Sequence, residues 1–589
     1  MHNLKVLFVH VPKRRGFYLP FGKYRYINMI SQGMFAIVDL INRNGFETKF
    51  IHLGLEEILD KKFSFQQYLA NFSPDVVIFS LHWHHQSFDV IETARSVKQT
   101  LPNAFIGLGG FTATHFASEL IRDYDFIDAI LCGHADQPTL ELLKAIEQGT
   151  SNTKNEAGKP FNLDAVSNLV YRTFNGFKVN PVTYIHTSEN MSNLRYANLG
   201  LLDNYKEYIE TFSYPLEYRE SLTRQENISL MYMGIPLFPL ATGVGCPVQC
   251  SHCSGNHNNL KLLTGSGNVV WRDKGAVLDD IKSAISYGYR GFIMGFDPMP
   301  IQPQYYLELF EEIRKQQLDI SCNFECWGLP TTEFIQSFAN TFDLTHSEIC
   351  LTPETPSERL RKLNRGYYFT NEELLHTIDV IKSFNLHITI FFSLALPHET
   401  IRDAKDTVLF ADMLRSKHID ADDYILVWPA MLEPGSPVFW NASELGIEIA
   451  WKTFADFYKA HRDGHGDSYS SIGYKVLNYF GDERDNGDIL DFEREIQKFK
   501  CQHFCWMFGN KPESSRLECL EQRKKIYMQY GLPTDSLDVF SEEHDMYTEL
   551  KEFRQKRDAG LFDGFDINTQ GSFDEIAPIL GVTEQQPFR

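Results

Sequence analysis

Short apolar runs rich in Val, Ile and Phe alternate with segments of helical spacing over the first 145 residues. LKVLFVH (4–10), ETKFIHL (47–53), DVVIFSLH (75–82), AFIGLGG (104–110) and DAILCGH (128–134) predict five strands. Between them, MFAIVDLINRNG (34–45) and FDVIETARSVKQ (88–99) space their apolar residues three and four apart, as amphipathic helices do. Strands that alternate with helices pair in parallel through right-handed crossovers. Residues 1–145 therefore read as a Rossmann-like, doubly wound α/β domain. Ligands of such a sheet bind beyond the carboxyl ends of its strands.

The rhythm fails over residues 146–235. Residues 146–165 are polar with Gly, Asn and Pro, and the stretch NLVYRTFNGFKVNP after them predicts a hairpin turning at Asn175-Gly176. The remainder, without a clean period, reads as a connector. A second series starts near 236 with PLFPLATGVG and continues with RGFIMGFDP (290–298), DISCNFECWG (319–328) and HSEICLTPET (346–355). HITIFFSLALP (387–397) and DDYILVWPAML (422–432) complete it, and helical stretches such as AVLDDIKSAISYG (276–288) separate the strands. Six such units over 236–440 predict a partial (β/α)6 barrel of the TIM type, with its chemistry at the carboxyl-terminal mouth. Residues 441–589 are expected to be mainly α-helical and to cap the barrel, shaping a substrate pocket.

Composition narrows the partners. The formal net charge is −21, from 56 Lys and Arg against 77 Asp and Glu. An acidic surface gains nothing from neutralising phosphates, which argues against nucleic acid and favours small-molecule substrates. No run of about 18 apolar residues marks a membrane span. MHNLKVLFVHVPKRRG places its apolar stretch before its basic residues, the reverse of a secretion signal, so a cytoplasmic location is expected.

Of ten cysteines only one group has three close together, Cys246, Cys250 and Cys253, as Gly243-Val-Gly-Cys246-Pro-Val-Gln-Cys250-Ser-His-Cys253-Ser-Gly255. Three thiolates suit a cubane iron–sulfur cluster with one iron left open. On spacing alone the alternative is zinc, with His252 or His257 as fourth ligand. Asp297 closes the second barrel strand, where an acid can face the mouth or cap the turn before Pro298. Glu325 and Trp327 close the third, to line the pocket or to pack. His82, His84 and His85 follow the third strand of the first domain, as metal ligands or as loop residues. Cys501 and Cys505, four apart, read as buried thiols on one helix face; with Cys519 they form a candidate auxiliary metal site.

C-x3-C-x2-C at the end of a first barrel strand resembles the radical S-adenosylmethionine (SAM) superfamily. TPETPSERLRKLNRGY (352–367) is similar to that superfamily's fourth-strand segment, with Glu354 matching its acid and Thr355 in place of its serine. The resemblance implies that both contact polar methionyl or ribose groups of SAM, with Asp297 as a further contact. LALPHET (394–400) is similar to the turn after strand five, and PAMLEPGSPVF (429–439) to that after strand six. His252 stands where an aromatic residue normally shapes the adenine pocket.

The five-unit domain before the barrel resembles the cobalamin-binding class of these enzymes. LGGFTATHFASELI (108–121) supplies Gly109, Gly110 and Thr112, and CGHADQPTLELL (132–143) supplies Gly133, small residues that let backbone approach a corrin or its nucleotide tail. The cobalt-ligating D-x-H-x-x-G motif is absent; HVPKRRGFYLP stands in its place. His82 and His84 are then expected against the corrin. The resemblance implies a [4Fe–4S] cluster, SAM and cobalamin as cofactors, and an electron donor such as flavodoxin or ferredoxin. The implied activity is of the class B methyltransferase kind, methylating an unactivated carbon of a small molecule or natural-product intermediate. Cyclisation or rearrangement without methyl transfer, and a non-catalytic metal-binding or sensor protein, are the alternatives.

Overall fold

In the computed structural model, described residues are 4–13, 17–18, 22–23, 29–60, 62–151, 163–213, 235–298, 304–400, 403–462 with short interruptions, and 473–477. The helices expected beyond 477, with Cys501, Cys505 and Cys519, lie outside them.

The first sheet contains β1 (Lys5–His10), β2 (Glu47–His52), β3 (Val76–Ser80), β4 (Phe105–Gly109), β5 (Ala129–Leu131), β6 (Leu169–Thr173) and β7 (Gly176–Val179). Their order is β2-β1-β3-β4-β5-β6-β7. β1 pairs in parallel with both β2 and β3, so the chain reverses its winding there, and a crevice opens at the carboxyl ends of the strands. Val6, Leu7, Phe8 and Val9 are all buried, because helices cover both faces of a parallel sheet and leave no polar side. The hairpin β6–β7 is antiparallel and extends the sheet at β5. Its turn is Phe174 and Asn175, one residue earlier than expected, and Gly176 begins β7 at φ 132°, opposite Thr173.

Six parallel strands form the second sheet in sequence order: β8 (Leu237–Pro239), β9 (Gly291–Met294), β10 (Ser321–Cys326), β11 (Glu348–Glu354), β12 (His387–Leu394) and β13 (Tyr424–Pro429). Successive side chains alternate between its inside and its helix layer. On β10, Phe324 packs on Tyr306, Phe310 and Phe334 of the flanking helices, which turns Asn323 and Glu325 toward the lumen. The register of β11 shifts between Leu351 and Glu354, where Glu354 takes φ 64°. Positive φ in a non-glycine residue is strained, and such strain concentrates at sites of function.

Beyond the barrel the described part of the C-terminal region is mixed rather than mainly helical. Ile447–Ile449 pairs antiparallel with Tyr474–Val476, and between them the helix Phe454–Arg462 returns to the first domain. There Phe454 N donates to Glu119 Oε2 at 2.8 Å and Tyr458 Oη to Glu92 Oε1 at 2.8 Å.

Candidate active site at the barrel mouth

The cysteine loop is shaped by close backbone approach. Gly243–Val244 pairs antiparallel with Val270–Trp271, and Cys246 N donates to Gly267 O at 3.1 Å. Gly245 has φ 99°, and a Cβ there would lie 2.0 Å from Asn268 O, so only glycine fits. Asn256 caps the following helix, His257–Thr264, and its Nδ2 donates to Cys253 O at 2.7 Å. All three thiols are free. Two of their sulfurs accept backbone hydrogen bonds, Cys253 from Gly255 N at 3.2 Å and Cys250 from Gly366 N at 3.3 Å. Amide donors to sulfur are what an iron–sulfur cluster needs to disperse its charge, so the donor set fits the group. Burial pushes all three thiols up, Cys253 to about 12, so a bound metal must draw the protons off.

The two histidines of the zinc alternative both have protein contacts. His257 Nδ1 is 3.0 Å from Cys246 O, and His252 Nε2 is 3.5 Å from Glu354 Oε1. Among the described residues no three His, Cys, Asp or Glu side chains converge on a point suited to a single ion.

Glu354 is the hub of the mouth. Oε1 receives Arg365 Nη1 at 2.7 Å and faces His252, while Oε2 receives Ser393 Oγ. Burial pushes this carboxyl up, but His252, Arg365 and Ser393 together outweigh it and hold the group at about 2. Arg365 also donates to Trp327 O. The single turn Arg365-Gly366 thus touches both the acid and Cys250. Thr355 is fully buried: its Oγ1 accepts from Ser357 N at 3.1 Å and its carbonyl from Arg361 Nη2 at 2.7 Å, so it holds the turn under Glu354. Asp297 is buried and accepts from Trp327 N at 2.9 Å, joining the ends of β9 and β10.

A cavity of about 470 Å³ separates the crevice of the first sheet from the barrel mouth. Ser80, His82, Gly109, Gly110 and Gly133 border it on one side, and Gly243, Thr264, Phe296 and Trp327 on the other. A Cβ on Gly110 would lie 2.8 Å from Leu81 O, and one on Gly133 2.8 Å from Leu263 O; one on Gly109 would make only ordinary contact, 3.8 Å from Leu131. The glycines keep this loop backbone closely packed and bare of side chains toward the cavity, so the cradle leaves space for a large ligand.

Thr112 and His84, expected at this edge, do not line the cavity. Thr112 Oγ1 donates to His82 O at 2.9 Å, steadying the loop from behind. His84 is buried on the far side, stacked on His85 with centroids 3.9 Å apart and 3.1 Å from His461 Nε2 through Nδ1. Its Nε2 lies 3.7 Å from Glu433 Oε1, on the turn after β13. Burial lowers His82 to about 4, so its imidazole is neutral.

Sequence reasoning passed over Arg365 and Ser393, and also a group on the cavity wall. His134 stacks on His186 at 3.8 Å, His186 Nε2 is 2.5 Å from Asp136 Oδ2, and Tyr184 Oη donates to Asp136 Oδ1 at 2.5 Å. Burial lowers His134 to about 3. The Asn-Arg-Gly triplet could have flagged Arg365; His186 lies in the connector, where no pattern marks it.

Residues 240–411 match the family described as the Radical SAM superfamily. Hopanoid C-3 methylase of Methylococcus capsulatus is 23% identical over 287 residues, 48% of this chain, and the chain spans only 45% of that relative's length. An anaerobic magnesium-protoporphyrin IX monomethyl ester cyclase of Rubrivivax gelatinosus is 22% identical over 413 residues, 68% of this chain and 61% of that relative. The structure of OxsB, a cobalamin-dependent SAM radical enzyme with aqua-cobalamin bound, superposes with a TM-score of 0.59 at 12% identity, over 98% of this chain and 80% of that one. The superfamily domain brings a [4Fe–4S] cluster and SAM with it. Residues 240–411, with the three-cysteine loop, thus match the radical SAM domain, and the two parallel sheets share the fold of OxsB.

Proposed function

We propose that this protein is a cobalamin-dependent radical SAM enzyme that transfers a methyl group to an unactivated carbon of a small molecule. The observation that carries the reading is the shared cavity, bordered by the glycine cradle of the first sheet and by the cysteine loop and barrel mouth. Its likeness to a methylase and to a cobalamin-binding fold supports the same reading. Bound there, the cofactors supply a carbon-centred radical and a methyl donor within one enclosure.

The chain's own residues then have defined tasks. Cys246, Cys250 and Cys253 hold iron, and the amides of Gly255 and Gly366 offset charge on two of their sulfurs. Glu354, kept anionic by Arg365, His252 and Ser393, orients polar groups of SAM, and Asp297 keeps the β9 and β10 ends together as a second acid near the mouth. His82, Gly109, Gly110 and Gly133 form the corrin side. The aromatic pair Phe296 and Trp327, with ring centroids 5.6 Å apart, excludes water that would quench a radical. A small-molecule substrate and a protein electron donor of the flavodoxin or ferredoxin kind complete the system. Among the described residues no helix is long and apolar enough to cross a membrane.

The test is anaerobic reconstitution with iron, sulfide and cobalamin, an absorption spectrum for both cofactors, and turnover with methyl-labelled SAM. Label in the product together with 5′-deoxyadenosine is expected. The likeness to a cyclase favours one second reading, radical cyclisation without methyl transfer; 5′-deoxyadenosine with an unlabelled product would select it.

A further inference from the structure

Inside the barrel lies a carboxyl group that the cofactor arrangement does not use. Glu325 is on β10 and points inward, because its neighbour Phe324 packs outward on the helices. It stands opposite Cys350 of β11, and a Cβ on Gly295 at the end of β9 would meet its Oε2 at 3.0 Å. The strands and their helices enclose it, yet its side chain is exposed, so the space it borders is the lumen.

The layer beneath shows how this barrel treats an acid meant only for structure. Glu348 is fully buried; Asn323 Nδ2 donates to its Oε1 and Thr389 Oγ1 to its Oε2 at 2.6 Å. Both oxygens are satisfied. Glu325 differs: no described residue hydrogen-bonds or ion-pairs with either of its oxygens. Enclosure by the barrel wall, with no neighbouring cation, pushes its carboxyl up. The bases of the mouth, Arg365 and His252, are turned to Glu354. A carboxyl without a partner among the described residues, in a lumen where Glu348 and Glu354 are both satisfied by their neighbours, calls for a cation, since an enclosed unpaired charge is costly and a charge-assisted hydrogen bond offsets that cost.

We infer that Glu325 anchors the substrate through a protonated amine. The inference rests on the radical SAM reading for what happens next. Cys350 pairs with Thr389 and Glu354 with Phe392, three positions on along the neighbouring strand, so the anchor lies roughly 10 Å of strand below the hub that orients SAM. The carbon that reacts is therefore several bonds from the amine, and the amine fixes which carbon meets the radical.

The experiment uses cluster-loaded full-length protein and n-butylammonium as probe, with n-butanol and butyrate as its neutral and anionic counterparts, followed by calorimetry. Wild type is expected to bind butylammonium more tightly than either counterpart. Glu325→Gln should weaken butylammonium at least tenfold and leave butanol and butyrate unchanged, while Glu325→Asp should keep the preference for the cation. Equal butylammonium affinity in wild type and Glu325→Gln, or tighter binding of butyrate, would overturn the proposal, as would absence of butylammonium binding to folded wild type. SAM cleavage by the same wild-type sample is read separately. Its failure would remove the functional reading, and the amine titration would still decide the role of Glu325.

Discussion

Replacing Glu354 by glutamine keeps the shape of the side chain and removes the charge on which three neighbours converge. The carboxyl falls from its ordinary 4.5 to about 2 in the folded protein. At about 1.4 kcal/mol per pH unit, that difference corresponds to roughly 3 kcal/mol favouring the charged form. The pair is well shielded, with side chains only 5% and 7% exposed for Glu354 and Arg365, so water screens little of it. Breaking one partner of a buried pair costs about 3–5 kcal/mol, because the other charge is left stranded, which agrees in size. The sign with pH follows from the lowered value. The contribution is complete above about 4.5 and is lost as pH falls from there toward 2. Urea unfolding of cluster-free wild type and Glu354→Gln should therefore show a gap of about 3 kcal/mol that is constant between pH 8 and pH 5 and narrows below. Equal stability at pH 7, or a gap that widens on acidification, would refute the assignment of Glu354 as an anionic hub. In loaded protein the same variant should bind SAM more weakly, measured by equilibrium dialysis.

Cys250→Ala removes a cluster ligand and the acceptor of Gly366 N, so iron retained after reconstitution should fall to background, together with 5′-deoxyadenosine formation. Gly245→Ala forces a Cβ to within 2.0 Å of Asn268 O at φ 99°, so a loss of about 1–3 kcal/mol and slower iron uptake are expected from thermal unfolding and iron assays. Burial, with His84 and Lys13 adding to it, keeps His85 and His461 neutral well below 6.5 in the folded state, whereas unfolded histidine protonates near 6.5. Stability should be level above pH 6.5 and fall below it, by about 1.4 kcal/mol per pH unit for each such histidine. His461→Phe should shallow that fall, and an unchanged slope in urea titrations from pH 7 to 5 would count against it.

The strands were legible because parallel strands covered on both faces must be apolar at successive positions, as Val6 to Val9 are. The grouping of Cys246, Cys250 and Cys253 was legible because the three thiols sit on one loop. What escaped depends on folding distance. Glu354 meets Arg365 eleven residues away and Ser393 thirty-nine away; the Asn-Arg-Gly triplet marks the first, and nothing in the neighbourhood of Ser393 names its partner. His84 has the same loop context as His82, yet one faces the cavity and the other His461, 377 residues on. The ribbon strands Ile447–Ile449 and Tyr474–Val476 are three residues each, too short to display an alternation against the helical spacing around them. The hairpin turn moved by one residue because Gly176 serves as the first residue of β7 rather than as the second of the turn.

The return of the helix Phe454–Arg462 to the first domain has a mechanical consequence. The connector already joins that domain to the barrel, so the two bodies are fastened on both flanks, like a clasp with two catches. Swinging the two bodies apart about the connector would break the bonds of Phe454 N to Glu119 and of Tyr458 Oη to Glu92, so the cavity between them widens only at the cost of that catch.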